Sequence, residues 1–290
     1  MVATNTNIGV SFAETEISKS EAKAFPAYNA YLLGRKITCI TTSDLLSKIH
    51  NSCKKNQKIV VANYNVHSFN MSVQFPWFLE FLQQSDITHC DGFGIVYALR
   101  FMGYSVPQEY RVSYSILMPK LLNDCDKKRH SIYLLGTKPQ YLDAAVANLR
   151  KQYPNAEING HHGYFDIEDE DSNMEIVDDI NRCKPNILIV GMGMPIQEYW
   201  VQRYRDRLDV NAILVGGAVI DRMAGVVPEC PEFLSKNGLE WLFRLSREPK
   251  RLMTRYAIGN PAFLLQVALA KYQKHAIKDN MNPAYSDLTS

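Results

Sequence analysis

The sequence predicts an α/β fold: a mainly parallel sheet with helices on both faces, followed by a helical C-terminal appendage. Three observations predict it. Apolar runs of four to seven residues alternate with helical patterns from about residue 36 to residue 217, the signature of strands joined by crossover helices. "NILIVGMG" (186–193) and "NAILVGG" (211–217) are apolar almost throughout, as strands covered on both faces are. From Glu232 onward the pattern is purely helical. The alternation makes the arrangement Rossmann-like.

Each element follows from its pattern. Residues 1–30 are polar and aperiodic and read as a flexible tail. "KITCITT" reads as a strand, and "SDLLSKIHNSC" as a helix capped by Ser43. "KIVVANY" is a strand, and the chain turns helical after Pro76. "DITHC" is a short strand ending before Asp91, and helices follow at about 94–102 and 112–124. "SIYLLG", "AEING", "NILIVGMG" and "NAILVGG" are further strands. Between them "QYLDAAVANLRKQY", "NMEIVDDINRC" and "PIQEYWVQRYRDRL" carry the helical period. Pro249 and the stretch 259–261 divide the C-terminal helices into short pieces. The division is thus 1–30 tail, 31–240 α/β domain and 241–290 basic helical appendage.

Composition narrows the function. An apolar fraction of 46% is that of a globular protein. A formal charge of +2 gives no global field to attract nucleic acid, so no nucleic-acid partner is expected. The charge is uneven: residues 241–278 hold eight Lys/Arg and one acid, which points to a local anionic partner. Six scattered cysteines without a CxxC pair read as free thiols rather than zinc ligands or disulfides. The opening "MVATNTNIGVSF" lacks the basic start and apolar core of a signal peptide. No apolar run reaches the roughly 20 residues of a membrane span. A cytoplasmic protein, able to lie on a membrane, is expected.

Ligands of open α/β sheets bind beyond the carboxyl ends of the strands, so four loops matter: "NYNVHS" (63–68), "CDGFG" (90–94), "LGTKPQ" (135–140) and "GMGMPIQE" (191–198). Gly136, Thr137 and Lys138 in one, and Gly191 and Gly193 in another, suit a turn that offers backbone N–H groups to a phosphate, or serve as tight-turn residues alone. Neither a Walker A motif nor a full GxGxxG is present. The acids of "DIEDED" (166–171) precede a helix and read as capping residues rather than metal ligands. His161 and His162 either line the pocket or make a plain turn.

Four segments together resemble one family: "DGFGIVYALRFMG", "YRVSYSILMPKLL", "ILIVGMGMPIQEYWV" and "GLEWLFRLSREPKRLMTRY". In order and spacing, over roughly residues 34–265, the chain resembles the WecG/TagA/CpsF glycosyltransferases of bacteria. The resemblance implies inverting transfer of a sugar from a UDP-sugar to an undecaprenyl-diphosphate-linked saccharide, without a metal or other cofactor. N-acetylmannosamine or glucose is the implied donor sugar. Asp91 takes the place of the family's proposed general base, although an N-cap for the following helix is open to it as well. Gly92 and Gly94 would let backbone approach the substrate. Arg111 would hold the leaving diphosphate, a surface ion pair being its other reading, and Gln197 the sugar, with Glu198 a second polar contact or a favourable acid at the helix N-terminus. Asn63 and Asn65 fall in a donor-side segment, Asn63 and His67 departing from the usual residues there. "GGAVIDRMAG" keeps Gly216, Gly217 and Asp221 but differs in its middle. Arg244, Arg247, Arg251 and Arg255 suit an anionic membrane surface or the lipid diphosphate, with Arg244, Arg247 and Arg251 on one helical face. A homo-oligomer is also implied. The competing classes are a non-catalytic nucleotide-sugar-binding module, in which Asp91 is only a cap, and a membrane-surface scaffold.

Overall fold

The structure is a computed structural model that describes residues 25–280 apart from 229, 232, 235 and 236, with no side chain described at 251 or 274–280. One eight-stranded sheet runs in the order β1-β2-β4-β3-β8-β7-β5-β6. Its strands are β1 (Tyr28–Leu32), β2 (Arg35–Cys39), β3 (Ile59–Tyr64), β4 (Ile87–Cys90), β5 (Ile132–Gly136), β6 (Ile158–His161), β7 (Ile187–Gly191) and β8 (Ala212–Val215). All neighbours are parallel except β1 and β2.

Helices cover both faces, as the sequence predicts. One apolar layer packs under α2 (Val66–Gln74), α3 (Pro76–Gln84), α4 (Phe93–Phe101), α7 (Glu170–Cys183) and α8 (Ile196–Tyr204), and includes Phe69, Phe78, Phe81 and Trp200. The other packs under α1 (Thr42–Lys55), α5 (Tyr114–Lys128), α6 (Pro139–Gln152) and α9 (Val219–Met223), and includes Leu45, Ile49, Leu117, Leu121 and Leu149. The fully apolar strands β5, β7 and β8 lie between the layers, every residue buried, which explains their lack of alternation.

Three expectations need correction. Residues 1–24 lie outside the described residues, but Tyr28–Leu32 are strand β1 rather than tail. A two-residue turn with positive φ at Leu33 (46°) and Gly34 (79°) folds β1 back on β2, the geometry that matches strand twist. The cap of α1 is Thr41, not Ser43: β2 ends at Cys39, Thr41 is extended, and its hydroxyl accepts from the Asp44 N–H at 3.2 Å. Helices α2 and α9 were absent from the sequence reading, being short and weakly patterned.

The C-terminal part is helical: α10 (Glu240–Arg247), α11 (Pro249–Ala257) and α12 (Gly259–Asn280). Arg244, Arg247 and Arg251 do not share one helix. Glu248 leaves the helical region (φ −131°, ψ 58°) between α10 and α11, because a residue before proline avoids it. The appendage is also less separate than expected. Phe263 and Val267 of α12 enter the core layer below α2, Phe263 meeting Phe69 edge-on at 5.0 Å. The Asn70 side chain donates to the Gly259 carbonyl at 2.7 Å. Among the described residues no helix is long and apolar enough to cross a membrane.

Candidate functional site

The carboxyl ends of the parallel strands form one rim, and Asp91 stands on it. Its amide donates to the Tyr64 carbonyl at 2.8 Å, carrying the β3–β4 pairing one residue past Cys90. The chain then turns through Gly92 (φ 96°), which is itself the N-cap of α4, with no side chain capping the helix. The cap reading of Asp91 therefore lacks support. Gly94 lacks the Cβ that would meet Val66 at 2.5 Å, so α4 starts hard against α2.

Charged groups gather around this carboxyl. Arg111 is brought there by Val112, whose N–H donates to the Cys90 carbonyl at 2.9 Å. Its buried guanidinium lies 4.4 Å from the Phe93 ring centroid and 3.6 Å from Glu240 Oε2. The other Glu240 oxygen is 3.4 Å from Arg222 Nη2. Asp91 keeps partial exposure although protein surrounds it. Desolvation raises its pKa above the ordinary carboxylate value, and Glu240 adds to the rise. Arg244, Arg222 and Arg111 oppose it. Helix α10 thus supplies two charges, from Glu240 and Arg244, to the setting of Asp91. Arg222 and Glu240 are the residues that sequence reasoning missed. They lie 18 positions apart on separate helices, and nothing in the local sequence says that they meet.

A polar floor lies beside Asp91. Asn63, buried in β3, donates to the Val215 carbonyl at 3.3 Å. Asn65 caps α2, its Oδ1 accepting from the N–H of His67 (2.9 Å) and of Ser68 (3.0 Å). The Ser68 hydroxyl accepts in return from the Asn65 N–H at 2.8 Å, a capping box. The Tyr114 hydroxyl is buried without a hydrogen-bond partner. Its pKa is raised by burial first, then by the charge of Asp91.

Gln197 has a different place from the one expected. Its Oε1 accepts from the Gly193 N–H (3.1 Å) and the Gly217 N–H (3.0 Å), and its Nε2 donates to Glu198 Oε1 (2.7 Å). A fully buried amide so engaged joins the β7 and β8 loops rather than standing open to a sugar. Glu198 is buried too, its Oε2 without a hydrogen-bond partner, and burial pushes its pKa up to about 7. Gly193 (φ 85°) and Gly217 (φ 58°) have open space on the side where a Cβ would point.

The β5 loop packs against the same loops. A Cβ at Gly136 would collide with the Gly191 carbonyl oxygen, and one at Gly216 would meet Val219 at 2.7 Å. Thr137 has a left-handed backbone (φ 57°), and its hydroxyl donates to the Asp221 carboxylate. Lys138 is exposed and caps α6 by backbone only, its Nζ 5.7 Å from the Tyr141 ring. His161 ends β6, His162 follows it, and Gly163 beyond them abuts Gly136. Asp169 caps α7, as expected of the acidic stretch.

The structure thus brings Asp91, Arg111 and Arg244 together, and Gln197 and Glu198 with the glycines of β7 and β8. Thr137 and Asp221 form a third group with Gly136. Arg247 instead lies over Phe243 at 5.5 Å and Arg255 over Tyr256 at 5.7 Å. The Arg251 side chain lies outside the described residues. All six cysteines are free thiols. Grooves of about 450 Å³ between α6 and α7 and about 530 Å³ below the end of α4 contain none of Asp91, Arg111, Gln197, Glu198, Thr137 and Asp221.

Residues 30–277 match the model of the glycosyl transferase WecG/TagA/CpsF family. Similar proteins include the N-acetylglucosaminyldiphosphoundecaprenol N-acetyl-beta-D-mannosaminyltransferase of Staphylococcus aureus strain MW2. It is 29% identical over 221 residues, which cover 76% of this chain and 83% of the relative. The protein of the same name from strain NCTC 8325 matches to the same extent. With the fold, the rim of strand-end loops and a match over most of its length, the chain belongs to the WecG/TagA/CpsF family of glycosyl transferases.

Proposed function

We propose that the protein is an inverting glycosyltransferase that moves a sugar of N-acetylmannosamine or glucose type from a UDP-sugar to an undecaprenyl-diphosphate-linked saccharide. The relatives' names describe transfer of N-acetylmannosamine to an N-acetylglucosaminyl-diphospho-undecaprenol, which supports the acceptor class. The observation that carries the reading is Asp91: a carboxyl at the end of β4, released from capping and set among Arg111, Arg222 and Arg244. The acceptor hydroxyl attacks the anomeric carbon as Asp91 takes its proton. The bond to the leaving UDP breaks, and guanidinium groups neutralise the charge that appears on its phosphate. Gln197 holds the β7 and β8 loops in register instead of touching the sugar. The lipid acceptor lies in a membrane, so the reading includes association of the appendage with an anionic surface on the cytoplasmic side, as a homo-oligomer. The test is Asp91→Asn assayed for UDP release with a panel of UDP-sugars and a lipid-linked acceptor. A loss in kcat on the order of 10²–10⁴ is expected. Turnover near wild type by the folded variant would remove Asp91 from the mechanism.

A further inference from the structure

We infer that Arg222 joins Arg111 in a two-guanidinium site for a diphosphate, and that Glu240, at the start of α10, occupies this site until the ligand displaces it. The inference rests on the reading above that the protein handles a diphosphate. Arg222 lies in the middle of "GGAVIDRMAG", the stretch that departs from the family pattern.

The geometry is that of a placeholder. One carboxylate spans two guanidinium groups, at 3.6 Å to Arg111 and 3.4 Å to Arg222. Charge-assisted N–H···O contacts are usually about 2.7–2.9 Å, so Glu240 holds both arginines only by long contacts. The Nε of Arg222 is buried with no hydrogen-bond partner, a donor available to a further acceptor. Both guanidinium groups are largely withdrawn from water, with side-chain exposures of 6% and 16%. An anion with more oxygens than a carboxylate, spaced across a P–O–P link, offers acceptors that Glu240 lacks. Charge balance points the same way. Three guanidinium groups act on Asp91, and Glu240 is the other carboxylate acting there. Displacing Glu240 detaches the start of α10 from Arg111 and Arg222, so arrival of the diphosphate and movement of the appendage are coupled.

A diphosphate ester reaches this site from either of two sources, the nucleotide or the polyprenyl carrier. The experiment measures direct binding to the full chain by calorimetry, using inorganic pyrophosphate, UDP, UMP and farnesyl diphosphate. Glu240→Gln removes the competing charge and is expected to tighten pyrophosphate by roughly three- to tenfold. Arg222→Gln is expected to weaken it by about tenfold, with Arg222→Lys in between because an ammonium lacks the planar fork. A response of UDP exceeding that of UMP assigns the nucleotide, and a response of farnesyl diphosphate alone assigns the carrier. Unchanged or weaker pyrophosphate binding by Glu240→Gln overturns the inference, as does no detectable binding by both wild type and that variant. Should Glu240→Gln not fold, an Arg222→Gln protein that binds pyrophosphate as wild type overturns it alone. None of these readings uses turnover, so loss of the Asp91 mechanism would be recognised separately.

Discussion

Gln197 accepts the Gly217 N–H at 3.0 Å through the same oxygen that accepts the Gly193 N–H. One amide therefore fixes the spacing of the loops after β7 and β8. Removing it leaves two backbone donors without their acceptor, each costing about 1–3 kcal/mol when buried. Gln197→Ala is expected to lower Tm by about 4–8 °C and to lower kcat further than the melting change explains at the assay temperature. Thermal denaturation read beside kcat and KM checks this. A Tm within a degree of wild type would show that the loops hold their spacing without the clip.

On the proposed mechanism Asp91 takes the proton as a carboxylate, and burial together with Glu240 raises its pKa above 3.8. Activity should therefore rise with pH through that raised value and level off above it. Arg244 opposes the rise, so Arg244→Gln should move the acidic limb of kcat/KM to higher pH. Steady-state rates across the acidic range decide it. A limb that moves to lower pH in Arg244→Gln, or stays in place, would separate Arg244 from Asp91.

Much of this was legible in the sequence, for identifiable reasons. Buried parallel strands such as β7 and β8 carry unbroken apolar runs, so their existence and their loops could be read directly. Asp91, Arg111 and Gln197 could be found by their setting in motifs. What each side chain touches could not. Gln197 lies in the first turn of α8, and nothing local says that its oxygen reaches across to Gly217. The Arg222–Glu240 pair joins two helices whose packing is set by distant contacts, including Phe263 against Phe69. Strand β1 was missed because five alternating residues after a polar stretch give a weak signal, and its partner is formed by a two-residue turn that starts with Leu33.

Glu198 carries a pH signature in stability. Its ordinary value of 4.5 is raised to about 7 by burial. Between those values the folded protein keeps a proton that the unfolded chain has released. Stability therefore falls as pH rises from 4.5 to about 7, then levels off. Glu198→Gln removes the titration while keeping an acceptor for Gln197 Nε2. Relative to wild type it should gain roughly 1–3 kcal/mol across that window. Urea denaturation at several pH values measures the difference. Parallel curves for the two proteins would mean that Glu198 titrates normally.

The last prediction concerns the outer face of α12. At 3.6 residues per turn Phe263 and Val267 fall on one side, where they are buried, Leu265, Leu269 and Tyr272 fall on the other, and Leu264 lies on the flank between them. Those four are 51–75% exposed, and Met253 and Ile258 beside them are exposed too. Lys271 lies 5.7 Å from the Phe101 ring, so α12 runs close to α4, where Tyr97 and Phe101 are exposed too. The two helices that precede α12 carry Arg247 and Lys250. Exposed leucines next to basic side chains suit the interfacial zone of an anionic bilayer, where apolar insertion and charge attraction add. Deleting the appendage is a poor test, because it strips Phe263 from Phe69. Changing Leu264, Leu265 and Leu269 together to Ser leaves the buried side intact. Sedimentation with phosphatidylglycerol vesicles should then fall by at least about tenfold, from lost apolar insertion, with Tm unchanged. Wild-type binding should also weaken as salt rises, because the attraction is screened. A triple variant that sediments like wild type would show that α12 does not enter the bilayer surface.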